Sequence, residues 1–283
     1  MVSYLQAVYP GGNGCGNTGF TRSLVESYLM KNGLPIYAAG SGYKGDKTLT
    51  DVATDRDNRL RESMSITGDQ INPNNIFSRP GITIIAENKN TTGYCLRKGL
   101  NQDPNMGATL PGNTGCVIFR AAEAYLNYIE AHYVLNNSLD AKSIAYWKAL
   151  RNRAGVDSDI QKTIAATDLS KENDFAVYSG DQQVDATLYN IRRERRSEFI
   201  AEGLRLNDLY RWRALDRMKD YQVEGFNLWD EQYKLYDDLK PEGEADEPNV
   251  SARANKYLRP YQIHRNNKAF NGYTFMKAHY LAP

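Results

Sequence analysis

The sequence is poor in most of the residues that usually announce a function. Its 283 residues include three cysteines and three histidines. Cys15, Cys95 and Cys116 are odd in number and show no CxxC or clustered His/Cys spacing, which excludes a complete disulfide framework. A lone Cys95–Cys116 bridge has nothing else to support it, and three unrelated thiols is the simpler expectation. With only His132, His264 and His279, no zinc site is expected. No run of about 18 apolar residues occurs, so no segment reads as a membrane-crossing helix. The opening residues lack the basic and apolar regions of a signal peptide. Cys15 follows Gly-Gly-Asn-Gly with no apolar stretch before it, and does not read as a lipid-attachment cysteine. Neither sign of charge is in excess. The 35 basic and 34 acidic side chains leave a net charge of +1, which excludes a strongly basic nucleic-acid binder and an acidic disordered tail.

What is present is length, polarity and tyrosine. The chain is long enough to bury a core as one large domain or two ordinary ones. Its mean hydropathy is −0.63, and 41% of its residues are apolar, so it is polar but not of disordered composition. Tyrosine occurs 20 times, against 8 Phe and 3 Trp. Tyr and Asn together suit surfaces that meet polar ligands, although Tyr also fills half-buried sites well.

Residues 1 to about 115 read as loop-rich. Gly and Pro recur from Pro10-Gly11-Gly12 to Pro111-Gly112 and break any long helix. A short helix is expected around Ser23 to Lys31, ended by Asn32-Gly33. A small β ribbon is expected at Ile82-Thr83-Ile84-Ile85. From Val117 the pattern changes. Ile118, Ala122, Tyr125 and Ile129 fall at helical spacing, with Ala121, Ala124 and Ala131 between them. Asn137-Ser138 offers an N-cap for a second helix, Leu139 to Ala154, with Ile144, Trp147 and Leu150 on its core stripe and Gly155 beyond its end. The two form a helical hairpin of the kind that builds tetratricopeptide-like arrays, though only one clear copy is seen. Residues 157 to 184 read as a polar excursion. A third helix starts near Asp185, is interrupted at Gly203, and resumes from Leu204 to Arg213. The stretch from Asp237 to Glu247 reads as a solvated acidic loop. Its spacing matches no EF-hand, so a Ca²⁺ site there is the weaker reading.

Arg192-Arg193-Glu194-Arg195-Arg196 resembles a nucleic-acid patch only in isolation. Glu194, Glu198 and Glu202 recur every fourth position, and Arg195 and Glu198 are spaced i,i+3, so the basic field is cancelled locally. Exposed Arg–Glu pairs are worth roughly 0–1 kcal/mol. A partly buried, bidentate network would instead fix how this helix packs, and packing is the expected role.

At this helix the sequence resembles a known family. Glu194-Arg195-Arg196-Ser-Glu198-Phe199-Ile-Ala-Glu202-Gly203-Leu-Arg205-Leu-Asn-Asp208-Leu209-Tyr-Arg211-Trp212 matches the ER-x-x-E-F-x-x-E-G-x-R-x-x-D-L-x-R-W signature of SusD/RagB proteins. Arg195, Glu198, Glu202, Arg205, Asp208 and Trp212 are its structural positions. Four other stretches agree. Arg56-Asp57-Asn58-Arg59-Leu60 matches R-D-x-R-L, and Gly93-Tyr94-Cys95-Leu96-Arg97-Lys98 is similar to G-Y-x-x-R-K. The segment from Arg120 to Ala131 is similar to R-x-A-E-x-Y-L-x-x-A-E-A, with Ile129 in place of the usual Ala. Arg151-Asn152-Arg153-Ala154-Gly155 is similar to R-x-R-A-G. The resemblance runs from about residue 22 to the end.

It implies a mainly α, SusD-like fold with tetratricopeptide-like helix pairs, long loops and minor β structure. It also implies one domain, with a loop-rich, ligand-facing region 1–115 and a helical region 116–283. Family members are usually longer and carry a lipoprotein signal. The chain therefore resembles the family's C-terminal half, and Tyr280-Leu281-Ala282-Pro283 is similar to the start of a Y-L-x-P-I-P tail. The implied function is capture of oligosaccharides, or in some members peptides, at the bacterial outer-membrane surface. The ligand then passes to a SusC-like TonB-dependent transporter. The implied anchor is a lipid absent from this chain, and no catalysis, cofactor, metal or nucleic acid is implied.

Sugar C–H faces stack on aromatic rings while hydroxyls need amide and carboxylate partners. Trp147 and Trp212 lie inside helical patterns and are expected in the core. Trp229 lies outside them, beside Phe226, Asn227 and Asp230, and is the leading platform candidate. Tyr37 and Tyr43 sit in Gly-rich sequence near Lys44 and Asp46; Tyr9 and Asn13 are weaker candidates. Two other classes compete: a helical-repeat scaffold that binds only proteins, and a glycoside hydrolase with paired carboxylates. With 34 acids some pair is always available, so the second argument has no force, and no nucleophile elbow or phosphate loop appears.

Overall fold

A computed structural model describes residues 19–83, 90–100, 117–218 and 221–260. Three short helices open it: α1 (Arg22–Ser27), α2 (Leu49–Ala53) and α3 (Asn58–Ser63). The side chains of Thr21, Thr48 and Asp57 cap their N-termini. Helix α1 is shorter than its sequence pattern. The Arg56 guanidinium takes the carbonyls of Val25 and Tyr28 at 2.7 and 2.8 Å, so the last turn finds its partners outside the helix and the chain turns extended at Tyr28. Asn32-Gly33 then forms a turn beyond Met30, which bridges to Arg56.

A ribbon of β1 (Gln70–Asn72) and β2 (Asn75–Ile76) follows. The expected ribbon at Ile82 is not seen: Ile82 and Thr83 are buried without strand pairing. Ile84 and Ile85 lie outside the described residues, as do Cys15, Cys116, Tyr9, Asn13, His264, His279 and the last four residues. Cys95 is a buried free thiol, its ionisation pushed up by that burial.

The helical hairpin consists of α4 (Ala121–Asn136) and α5 (Ala141–Arg153). Helix α4 begins later than its apolar pattern. Val117, Ile118 and Phe119 precede it and are exposed, Ile118 at 93%. Asn137 is the left-handed C-cap of α4 rather than a cap for α5. Asp140 caps α5 instead, accepting from the Ser143 amide at 2.7 Å. Gly155 closes α5 with φ +65°, as expected of a C′ glycine. The polar excursion is better structured than its sequence implies. It contains α6 (Ile160–Ala166), three-residue turns at Leu169–Lys171 and Phe175–Val177, and a ribbon of β3 (Tyr178–Ser179) and β4 (Gln182–Gln183). Ile160 and Thr163 form the buried face of α6.

The organising element is α7 (Ala186–Glu198), which meets α1, α3, α4, α6 and the Phe175–Val177 turn. Asp185 caps it through the amides of Thr187 and Leu188, and no Gly or Pro interrupts it. Most of its buried residues are polar or charged. Helix α8 (Arg205–Arg211) follows after Gly203, whose φ of +81° makes the corner.

Among the described residues the chain is mainly α, with two small ribbons. Three large apolar clusters, with a small one of Leu29, Ala154 and Val156, form its core. One joins Leu126, Ile129, Trp147 and Leu150 of the hairpin to Ile191 and Phe199. A second surrounds Tyr189 and Trp212. The third joins residues from Phe20 to Leu96 with Ile200, Phe226, Leu228, Val250 and Leu258. The loop-rich region and the last described segment therefore share one core. Gly93 lies flat against the Phe226 ring, 2.3 Å from where a Cβ would sit, which explains a glycine there. Tyr94 meets the same ring edge-on.

Candidate functional site

The charged helix is knitted into the interior by partners distant in sequence. Glu194 accepts from Trp147 Nε1 at 2.9 Å and Arg151 Nε at 3.2 Å, and pairs with Arg59 at 2.7 Å. Glu198, whose side chain is 2% exposed, pairs with Arg59 at 2.9 Å and with Arg120 and Arg153. Glu202 lies beyond the end of α7, yet meets Arg120 at 2.8 Å and Lys98 at 2.5 Å. The acidic row is thus not paired along its own helix. Arg195 does not pair with Glu198; it takes Asp208 at 2.8 Å and Asn127 at 2.8 Å. Arg196 and Arg205 converge on Asp174, and Arg211 grips Glu130 with two bonds of 2.6 Å. Trp212 donates to the same Glu130.

Burial alone would push the Glu198 carboxyl up, but Arg59, Arg120 and Arg153 hold it down to about 2. Asp174 is held near 2 in the same way, by Arg196 and Arg205 against its burial. These are carboxylates committed to structure, ionised wherever the protein is folded near neutrality. Arg59, Lys98, Arg120, Arg151 and Arg153 each come from one of the four short motifs outside the helix. Those motifs are the counterions of a single acidic row.

The residues expected to meet a ligand fall into separate places. Tyr37 turns inward: its hydroxyl donates to Glu172 at 2.7 Å and accepts from the Asp168 amide at 3.0 Å. Glu172 in turn pairs with Arg193, so Tyr37 joins the network around α7. Tyr43 and Asn227 lie beside Asp46, while Trp229 packs against Tyr233 and Arg253. Asp46 accepts from Asn227 Nδ2 at 3.0 Å and the Tyr257 hydroxyl at 2.7 Å, with Lys256 at 3.5 Å. Burial alone would raise its pKa, but these bonds hold it lowered. Tyr43 is half-buried beneath Arg56, and burial pushes its hydroxyl up to about 12.

Two of the candidates are out of reach of a ligand. Phe226 is 1% exposed, both packed on Gly93 and edge-on to Tyr94, and Asn227 is 0% exposed. Their place in a loop is not a place on the surface, because that loop closes over the third core cluster. Trp229 is half-buried, tilted against Tyr233 at 6.3 Å, with the Arg253 guanidinium 4.4 Å from its ring centre. Its Nε1, like Asn227 Oδ1, is buried without a partner among the described residues. Tyr257, Tyr233 and Arg253 carry no local sequence signal that marks them as ligand-facing. Only the tyrosine excess hints at the first two. Beside Tyr43, a polar pocket of about 300 Å³ is walled by Lys31, Asn32, Gly40, Gly42, Lys44 and Asp55.

The SusD family model matches residues 3–271. The chain belongs to the SusD family. Its fold is shared with two crystal structures from Bacteroides fragilis. A SusD-like protein is 21% identical with a TM-score of 0.55, covering 80% of this chain and 42% of its own. A SusD-like carbohydrate-binding protein is 18% identical with a TM-score of 0.52, covering 85% of this chain and 42% of its own. This SusD-family chain therefore spans less than half the length of either relative. No curated protein matches it. No described helix is long and apolar enough to cross a membrane.

Proposed function

We propose that this SusD-family protein binds nutrient oligosaccharides at the outer-membrane surface and delivers them to a SusC-like TonB-dependent transporter, without catalysing a reaction on them. The family match over residues 3–271 carries this reading, and the relative described as carbohydrate-binding supports the ligand class. The loop cluster supplies the chemistry. Trp229 and Tyr233 offer ring surface once Arg253 swings aside, and Arg253 is about half exposed, its ion pair among the described residues being with Glu244 at 3.1 Å. Tyr43, Tyr257, Lys256 and Asp46 offer hydroxyl, ammonium and carboxylate groups for sugar hydroxyls. In this reading the full protein is lipid-anchored.

Calorimetric titration with an oligosaccharide panel, with product analysis of the same mixtures, tests it. Binding without new products is the expected result. Trp229→Ala should weaken glycan binding roughly tenfold, the scale of one aromatic stack. A second reading, a scaffold that binds only proteins, is favoured by the exposed run Val117-Ile118-Phe119. It would be preferred if no glycan bound while a transporter barrel was retained.

A further inference from the structure

A groove of about 850 Å³ lies between α4, the β3–β4 ribbon and the end of α8. Its size falls within the roughly 300–1,000 Å³ of small-ligand sites. Val134 and Leu188 give it an apolar wall, and three arginines line it: Arg192, Arg211 and Arg213. Two carboxylates also line it, and both are engaged. Glu130 is held by Arg211, and Asp181 by Arg217 at 3.3 Å. The two remaining cations make no direct ion pair among the described residues, although Glu130 and Asp174 lie near enough to act on Arg192. Arg192 is 3% exposed and donates only to neutral oxygens, the carbonyls of Ala176 and Tyr178 and the Ser179 hydroxyl. Its Nε is buried without a partner. Arg213 is exposed and makes no side-chain hydrogen bond or ion pair among the described residues.

Among the arginines of the groove, Arg213 is set apart by its backbone. It sits at φ +53°, the left-handed position just past α8. Its amide donates to Tyr210 O at 3.0 Å and the next amide, Ala214, to Leu209 O at 2.9 Å. This is a Schellman cap, whose C′ residue is usually glycine. The end of α5 makes the same pair of bonds, Gly155 to Asn152 and Val156 to Arg151, with glycine in place. A side chain in this conformation costs about 1 kcal/mol or more relative to glycine, and that of Arg213 makes no bond among the described residues in return. Arg213, without a side-chain partner among the described residues and held in a strained cap beside the buried Arg192, marks a place that awaits an anion.

We propose that this groove is a second glycan subsite selective for acidic sugars, with Arg213 pairing to a uronate carboxylate. The inference rests on the glycan-binding reading and adds a substrate class to it. A planar guanidinium fork matches a carboxylate bidentately, while Val134 and Leu188 meet the sugar's C–H face. The Arg192 charge beneath the groove adds attraction that salt weakens.

The test uses titration of the whole chain with uronate oligomers (homogalacturonan, alginate and glucuronoxylan fragments) and with their methyl-esterified, neutral forms. Arg213→Gly is the informative variant, because glycine suits φ +53° and the fold should keep or gain thermal stability. Wild type should bind at least one acidic form roughly tenfold or more tightly than its ester, and Arg213→Gly should abolish that preference. Arg213→Lys should restore part of it. Equal affinity for acid and ester, or a preference untouched in Arg213→Gly, overturns the subsite and leaves the broader reading standing. Binding of neutral glycans alone does the same. If no glycan of either kind binds, both readings fall.

Discussion

Replacing Glu198 with Gln tests whether the acidic row holds the fold together. The substitution keeps size and shape and removes one charge from beneath Arg59, Arg120 and Arg153. Glu198 ionises near 2 in the folded protein against an ordinary 4.5. At about 1.4 kcal/mol per pH unit, that difference corresponds to roughly 3 kcal/mol. Loss of one partner from a buried ion pair is known to cost about 3–5 kcal/mol, so the two routes agree. Arg59 keeps Asp57 and Glu194, and Arg120 keeps Glu202, which places the expectation at the lower end. Because the folded pKa is depressed, the contribution is complete above pH 4.5 and disappears as pH falls towards 2. Urea unfolding followed by circular dichroism should therefore give a loss of about 3 kcal/mol at pH 7, or roughly 5–10 °C in Tm. The gap between wild type and variant should close as pH approaches 2. Glu231→Gln, in the exposed pair with Lys234, should leave the midpoint unchanged. A loss under about 0.5 kcal/mol at pH 7, or a gap that does not vary with pH, would refute the assignment of this row to stability.

Other substitutions probe the packing around it. Gly225→Ala should destabilise by about 3 kcal/mol or prevent folding, since a Cβ there would lie 1.9 Å from the Thr92 carbonyl oxygen; a melting temperature within a degree of wild type would contradict the close approach. Trp147→Phe removes a fully buried indole whose N–H meets Glu194 at 2.9 Å, and should cost about 2 kcal/mol in urea unfolding. Wild-type stability should fall steeply between pH 4.5 and 2, because Asp174 as well as Glu198 is held near 2; a flat profile across that range would show that these carboxylates are not coupled to folding.

The sequence alone determined the fold class and the family. Period, caps and breakers located α4, α5, α7 and α8, since these signals are local and each is written in a few neighbouring residues. The core positions of Trp147 and Trp212 were legible for the same reason. What local signals could not carry was pairing. Arg195 and Glu198 look like partners one turn apart, yet each is claimed by a residue from another segment. Exposure within loops was equally hidden: Phe226 and Asn227 lie in an irregular stretch, but burial there depends on which distant residues close over it. Only the tertiary structure decided that Asp46 joins Asn227 to Tyr257, and that Arg213, unpaired among the described residues, stands in a left-handed cap on the groove that Arg192 also lines. Charges find their partners across the fold rather than along the chain, because a buried ion is tolerable only where several segments converge to satisfy it.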